Sequence, residues 1–363
     1  MTTRPHRIFP RRSLMSADSS NGTPGVLQND YQPELASRRI SVKDIDVVRD
    51  FAVSPYGSQA EEWMSRYARE VGVIDQIGQR RFDAYNGIAK YVYSYASLDR
   101  LVASSSWLNF LFLIDDQFDE NPELGRDRAR VRRLIVAILD LLEDGTPIPD
   151  HPVLTRVTHD LRDSFARLAS PTWMEQLFAS TEDYLLRGVA NGMRAWRWRR
   201  GNHHSLDSYM SMRDMDSGVY TCIDVVELAA GVDLPQPLRD DKRIQALRRL
   251  CARHVAFVND IMSYDKEIRA HDNPPNLLHL LMTSEHLSFN EAAAQAVDIV
   301  NRDLQDFLRI ETALSGWGTH KDVLDPYING MHQWMRGNID WSLKSQRYST
   351  PNNPLPELRD SKE

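Results

Sequence analysis

Cysteine is almost missing from this chain: Cys222 and Cys251 are the only two among 363 residues. Two thiols make neither a disulfide framework nor a zinc-ligand spacing, so the expected compartment is a reducing one, the cytoplasm. Long hydrophobic runs are missing as well. None approaches the roughly 20 apolar residues that cross a bilayer, so no membrane span is expected. A basic excess is also absent. The net charge is -7, whereas nucleic-acid binders carry a basic stripe, so no nucleic-acid partner is expected. With that overall sign, an anionic ligand needs a local group of arginines to hold it. The alternation of half-buried strands is essentially absent too, and neither a repeat nor a Pro/Gly/Ser-rich linker divides the middle of the chain.

What is present is helical periodicity. The opening "MTTRPHRIFPRRSL" carries Arg4, Arg7, Arg11 and Arg12 with no acid before Asp18. Its prolines and the following "SADSSNGTPG" favour a disordered tail over residues 1–38 rather than a targeting presequence. From about residue 40, apolar residues recur at helical spacing between Gly and Pro turns. Residues 97–120, 128–145, 170–196, 206–231, 243–270, 288–314 and 323–348 read as helices. Short connections such as "DLPQPLRDD" fit a helical bundle. The expected architecture is one all-α domain over residues 39–350 with a central apolar cavity and a short tail over 351–363, acting as a monomer or homodimer.

Two stretches carry chemistry. "LNFLFLIDDQFDE" drives an apolar segment straight into Asp115, Asp116 and Asp119. Positions i and i+4 share a helix face, so Asp115 and Asp119 point the same way with Asp116 beside them. Carboxylates gathered at the end of a buried helix need a cation, and an oxygen set of this kind suits Mg²⁺ shared with phosphate oxygens. The alternative is an acid-rich, solvated helix end. "NDIMSYDKE" places Asn259, Ser263 and Glu267 at i, i+4 and i+8, a second oxygen row. Asp260 and Asp265 fall off that face and are expected in solvent. Lys266, beside Glu267, can reach a phosphate.

Together the two stretches resemble the paired metal motifs of class I terpene synthases, a DDxxD on one helix and an N-D-x-x-S-x-x-x-E on a facing one. The resemblance covers about residues 60 to 348. It implies Mg²⁺ as cofactor (three ions in the family) and a prenyl diphosphate as substrate. Arg213 in "MRDMDSG" resembles the family's diphosphate sensor, with Asp216 and Ser217 at its linker and effector positions. Arg347 and Tyr348 in "WSLKSQRY" look like the pair that closes over the diphosphate. Trp341 matches a pocket aromatic, and Phe112, one turn before Asp115, shares the face of the acids. Trp107, Trp334, Phe82 and Tyr220 are further aromatic candidates. The implied activity is ionisation of farnesyl diphosphate and cyclisation to a sesquiterpene. A chain-elongating prenyl diphosphate synthase, which normally carries two aspartate-rich motifs, and a non-catalytic helical scaffold are the alternatives.

Overall fold

Short side-chain oxygens start the helices of this chain. Asp127 accepts from the backbone N–H of Arg130 at 2.9 Å, and Ser170 from that of Trp173 at 3.1 Å with Pro171 directly behind it. Ser288 exchanges bonds with Glu291 in a capping box. Each satisfies amides that the first helical turn leaves unpaired. The computed structural model describes residues 40–119, 127–190, 205–270, 274–314, 318–350, 353 and 355–359. Its helices are α1 (Gly57–Glu70), α2 (Val73–Ile77), α3 (Gln79–Tyr85), α4 (Ala89–Val92), α5 (Leu98–Asp119), α6 (Arg128–Asp144), α7 (Pro152–Leu168) and α8 (Pro171–Glu182). They continue as α9 (Leu206–Asp216), α10 (Val219–Ala230), α11 (Gln236–Arg239), α12 (Lys242–Ala270), α13 (Leu277–Ser284), α14 (Phe289–Ala313) and α15 (Lys321–Lys344). No strand occurs among the described residues, and the fold is all-α as expected. None of these helices is long and apolar enough to cross a membrane.

The two motif helices lie inside the bundle. On α5, Leu101, Ala103, Ser104, Trp107 and Phe110 are all buried. Its serines enter the apolar interior because Ser104 and Ser106 donate to the carbonyls of Arg100 and Val102, four residues back, at 2.8 and 2.9 Å. Helix α12 packs against α9, α10, α11, α13, α14 and α15. Surrounded in this way, it has little solvent face. That overturns the expectation for Asp260 and Asp265, which are 0% and 7% exposed. Reading one functional face assumes that the opposite face is wet, and here further helices cover it.

Other expectations need correction at their boundaries. The single helix over 206–231 is two, α9 and α10, parted at Ser217 and Gly218, where Gly218 takes a left-handed φ of 69°. The stretch over 170–196 is α-helical to Glu182 and widens to π-helical turns over Asp183–Ala190; its end lies outside the described residues. The helix expected over 323–348 stops at Lys344 because Ser345 turns extended, which leaves Arg347 and Tyr348 on a turn. Residues 1–38 lie outside the described residues. Within 351–363, the described residues include Asn353, Leu355 and Leu358, all buried rather than trailing in solvent.

Candidate active site

Helical spacing sets Asn259, Ser263 and Glu267 on successive turns of α12. Ser263 Oγ donates to Glu267 Oε1 at 2.7 Å. Asn276, which caps α13 by accepting from Leu278 N at 2.9 Å, uses its amide to orient this row. Its Nδ2 donates to Glu267 Oε2 at 3.1 Å and to the carbonyl of Asp260 at 2.7 Å. Burial, followed by the negative charge of Asp260, pushes the Glu267 carboxyl above its ordinary range. A carboxylate held this way gains more from a nearby cation than a solvated one does. The donor set, an amide oxygen, a hydroxyl and a carboxylate, fits a hard divalent ion. Among the described residues no three His, Cys, Asp or Glu side chains gather as a metal-holding group. Lys266 is half-buried beside Glu267.

Asp115 is half-buried near the end of α5. The side chains of Asp116 and Asp119 lie outside what the structure describes. One turn back, Phe112 stacks on Tyr85 with ring centroids 5.1 Å apart and meets Trp341 at 5.9 Å. Trp341 in turn sets its ring at right angles to that of Tyr348, 5.7 Å away. The Arg347 guanidinium lies over this group, 5.0 Å from the Phe112 centroid and 6.0 Å from that of Tyr85. The Tyr348 hydroxyl accepts from Asn259 Nδ2 at 2.7 Å. The path Phe112, Arg347, Tyr348, Asn259 therefore brings the Phe112 turn of α5 and the Asn259 turn of α12 to one place. Burial raises the Tyr348 phenol against the opposing pull of Arg347, so the hydroxyl keeps its proton.

Arg213, near the end of α9, is 4% exposed. Its Nη2 pairs with Asp260 Oδ1 and its Nη1 lies 3.4 Å from Asp216 Oδ1. Asp260 also accepts from the Tyr209 hydroxyl and from Leu277 N. Arg213 is thus tied to the residue directly after Asn259. Asp216 is buried and Ser217 half-buried, its Oγ accepting from Val219 N at 3.4 Å. The helix break rests on the π-helical segment. A β-carbon at Gly188 would lie 2.7 Å from the Met215 carbonyl oxygen and 2.8 Å from Asp216 Cα, so only glycine allows this approach. A relay also joins the break to α5: Trp107 Nε1 donates to Thr221 Oγ1 at 3.2 Å, and Thr221 donates to the Gly218 carbonyl at 2.7 Å.

Several residues differ from their sequence reading. Trp107 is fully buried against Phe110 and Phe165, and Phe82 against Tyr85. Trp334 is buried edge-on to Tyr93. These three are core aromatics, not part of the cluster over which Arg347 lies. Tyr220 is half-buried with the Arg248 guanidinium 6.0 Å from its ring. Asp260, Asn276 and Gly188 were missed. A glycine inside a helical run, as in "LLRGVANG", is the signal that could have found Gly188; nothing local distinguishes Asn276. A cavity of about 590 Å³ borders Trp341 together with Asp83, Tyr91 and Ser345. A second, of about 970 Å³, lies between α1, α5 and α7 among Met64, Val102, Phe110 and Leu161.

Comparison with known proteins gives the family and the fold. Residues 106–306, a span that contains both motifs, match the family model described as terpene synthase family 2, C-terminal metal binding. The chain is 29% identical to a (+)-T-muurolol synthase of Roseiflexus castenholzii, whose name specifies cyclisation of (2E,6E)-farnesyl diphosphate, over 82% of this chain and 91% of that one. It is 30% identical to sesquiterpene synthase 6 of Postia placenta over 74% of this chain and 77% of that one. The solved structure of an α-eudesmol synthase shares the fold with a TM-score of 0.70 at 23% identity, over 83% of this chain and 98% of that one. A chain matched over more than half its length by that family model belongs to terpene synthase family 2.

Proposed function

We propose that this protein ionises farnesyl diphosphate with Mg²⁺ and cyclises the resulting carbocation to a sesquiterpene hydrocarbon or alcohol, releasing diphosphate. The observation that carries this reading is the bond from Asn259 to Tyr348 beside Arg347 over Phe112. It joins the oxygen-bearing row, the cationic closing pair and the aromatic wall in one site. The likeness to a farnesyl diphosphate-cyclising enzyme supports the substrate.

Asp115, Asp116, Asp119, Asn259, Ser263 and Glu267 would hold the Mg²⁺ cluster, three ions by family pattern, which neutralises the departing diphosphate. Arg213, Lys266, Arg347 and the Tyr348 hydroxyl grip that anion from the protein side. Arg213 is tied to Asp216 and Asp260 in the resting chain. A diphosphate competing for its guanidinium loosens those ties, and the break at Ser217 and Gly218 is where the backbone can answer. Phe112 and Trp341 present ring faces to the cation, a contribution of roughly 0.5 to 2 kcal/mol each. The Arg347 guanidinium, 5.0 Å from the Phe112 ring centroid, supports this reading of that ring face. The catalytic unit runs over residues 39–350.

Asn259, Ser263 and Glu267, in place of a second aspartate-rich motif, argue against chain elongation. Intact oxygen donors at the described motif positions argue against an inert scaffold. Incubation with farnesyl diphosphate and Mg²⁺ tests the proposal through pyrophosphate release and gas chromatography–mass spectrometry of the extract. Cyclic C15 products are expected, and chelation by EDTA abolishes them. Longer diphosphates formed with isopentenyl diphosphate, or no release from any prenyl diphosphate, would refute it.

A further inference from the structure

We propose that Asn353 is a positioning residue for the closing pair Arg347–Tyr348. It lies in a segment that reads in sequence as a tail. The inference rests on the reading above that this pair grips a diphosphate.

Asn353 is 0% exposed, and each of its polar atoms is used. Its Nδ2 donates to two carbonyls at once, that of Tyr348 at 2.9 Å and that of Met262 at 3.2 Å. Met262 sits on α12 between Asn259 and Ser263, so one amide ties the turn bearing Tyr348 to the helix bearing the oxygen row. Its Oδ1 accepts from Leu355 N at 3.0 Å and its backbone N–H donates to the Thr350 carbonyl at 3.2 Å. Its own carbonyl accepts from Arg359 Nε at 2.9 Å. Leu355 and Leu358, 1% and 3% exposed, anchor the segment in apolar surroundings.

The geometric consequence is specific. Tyr348 is held at both ends, its hydroxyl by Asn259 and its carbonyl by Asn353. Arg347 and Tyr348 lie beyond the end of α15, so no helical hydrogen bonds fix them. Without Asn353 the turn keeps its covalent link to α15 and the bond from Asn259 to the Tyr348 hydroxyl, but its backbone loses the tie to α12 through Met262. A looser turn holds the guanidinium and hydroxyl in a spread of positions, and an anion that needs both together binds more weakly. An asparagine suits this role because two donors on one nitrogen can bridge two acceptors, which a hydroxyl with one proton cannot do.

The test uses the intact chain and inorganic pyrophosphate with Mg²⁺, followed by calorimetry. Asn353→Ala weakens pyrophosphate binding on the order of tenfold, as expected for losing two buried amide bonds. KM for farnesyl diphosphate rises alongside it, while the product composition stays that of the unaltered protein. In an Arg347→Ala/Tyr348→Phe background, Asn353→Ala adds no further loss, because it acts through that pair. Pyrophosphate affinity within twofold of the unaltered protein, whatever the melting temperature, would overturn the proposal and leave Asn353 a structural residue. If Asn353→Ala fails to fold, Arg359→Ala, which removes only the bond to the Asn353 carbonyl, is measured instead. A weakened affinity then supports the proposal and an unchanged one overturns it. If Arg347→Ala/Tyr348→Phe itself leaves pyrophosphate affinity intact, it is the diphosphate reading that fails.

Discussion

Asn259 and Tyr348, far apart in the chain, meet through a 2.7 Å hydrogen bond from the Asn259 amide to the Tyr348 hydroxyl. The amide nitrogen is thereby engaged, which leaves the Asn259 carbonyl oxygen directed away from Tyr348 and available as a ligand. Tyr348→Phe removes that orientation and one proposed hydroxyl contact to the diphosphate, but no proposed metal ligand. Turnover of farnesyl diphosphate is expected to fall on the order of tenfold, the range seen when an outer partner of a ligating side chain is lost. Asn259→Ala removes the ligand itself and costs more. A steady-state comparison of the two variants checks the order.

Arg213 and Asp260 form a buried pair with side chains 5% and 0% exposed. Removing one partner strands the other, at a cost of about 3 kcal/mol or more. Arg213→Ala is therefore expected to lose both stability and turnover. Adding Asp260→Asn removes the stranded charge and recovers stability without recovering turnover. Urea unfolding of the single and double variants measures the first effect and pyrophosphate release the second.

Glu267 is a half-buried carboxylate whose negative form is disfavoured by desolvation and by Asp260. Glu267→Gln keeps an acceptor for Ser263 and removes the charge. A melting temperature within a few degrees of the unaltered protein is expected, with turnover lower by at least about a hundredfold. Thermal unfolding beside a turnover assay decides it, and a variant that retains turnover removes Glu267 from the ligand set.

Phe112 lies between Tyr85 and Trp341 with Arg347 over its face. Phe112→Leu and Trp341→Leu keep apolar volume and lose the ring faces. The expected result is a changed hydrocarbon and alcohol mixture, with pyrophosphate release altered much less. Gas chromatography of the products checks it, and an unchanged profile makes the residue ordinary core.

His254 is 1% exposed, and burial depresses its imidazole from 6.5 to about 4. The unfolded chain binds that proton first, so His254 stabilises the fold above pH 6.5 and loses this contribution progressively as pH falls toward 4. The full contribution is about 3 kcal/mol. Glu227 and Asp303, raised to about 7 and about 6 by burial, act in the opposite sense over part of this window. A comparison with His254→Asn isolates the histidine. The stability gap between the two proteins at pH 7 should narrow by pH 5, as read from melting temperatures.

Legibility differs from residue to residue. The oxygen row on α12 and the face shared by Phe112 and Asp115 follow from helical periodicity alone, because 3.6 residues per turn stacks i and i+4 whatever surrounds the helix. Asp260 was misread for the same reason, since periodicity describes one helix and burial depends on its neighbours. The break at Gly218 was hidden because a single glycine in an apolar run is tolerated in many helices. Its left-handed backbone becomes visible only with Gly188 seated beneath Asp216.

By itself the amino-acid order determined an all-helical chain, an oxygen-donor set suited to a hard divalent ion, and residue types whose chemistry suits an anion and a carbocation. These are local properties of spacing and side-chain chemistry. Only the folded chain decided that Asn259 reaches Tyr348, that Arg213 is held by Asp260, and that Asn353 packs inside. Such pairings join residues distant in sequence, and their positions depend on how whole helices pack, which no local pattern encodes.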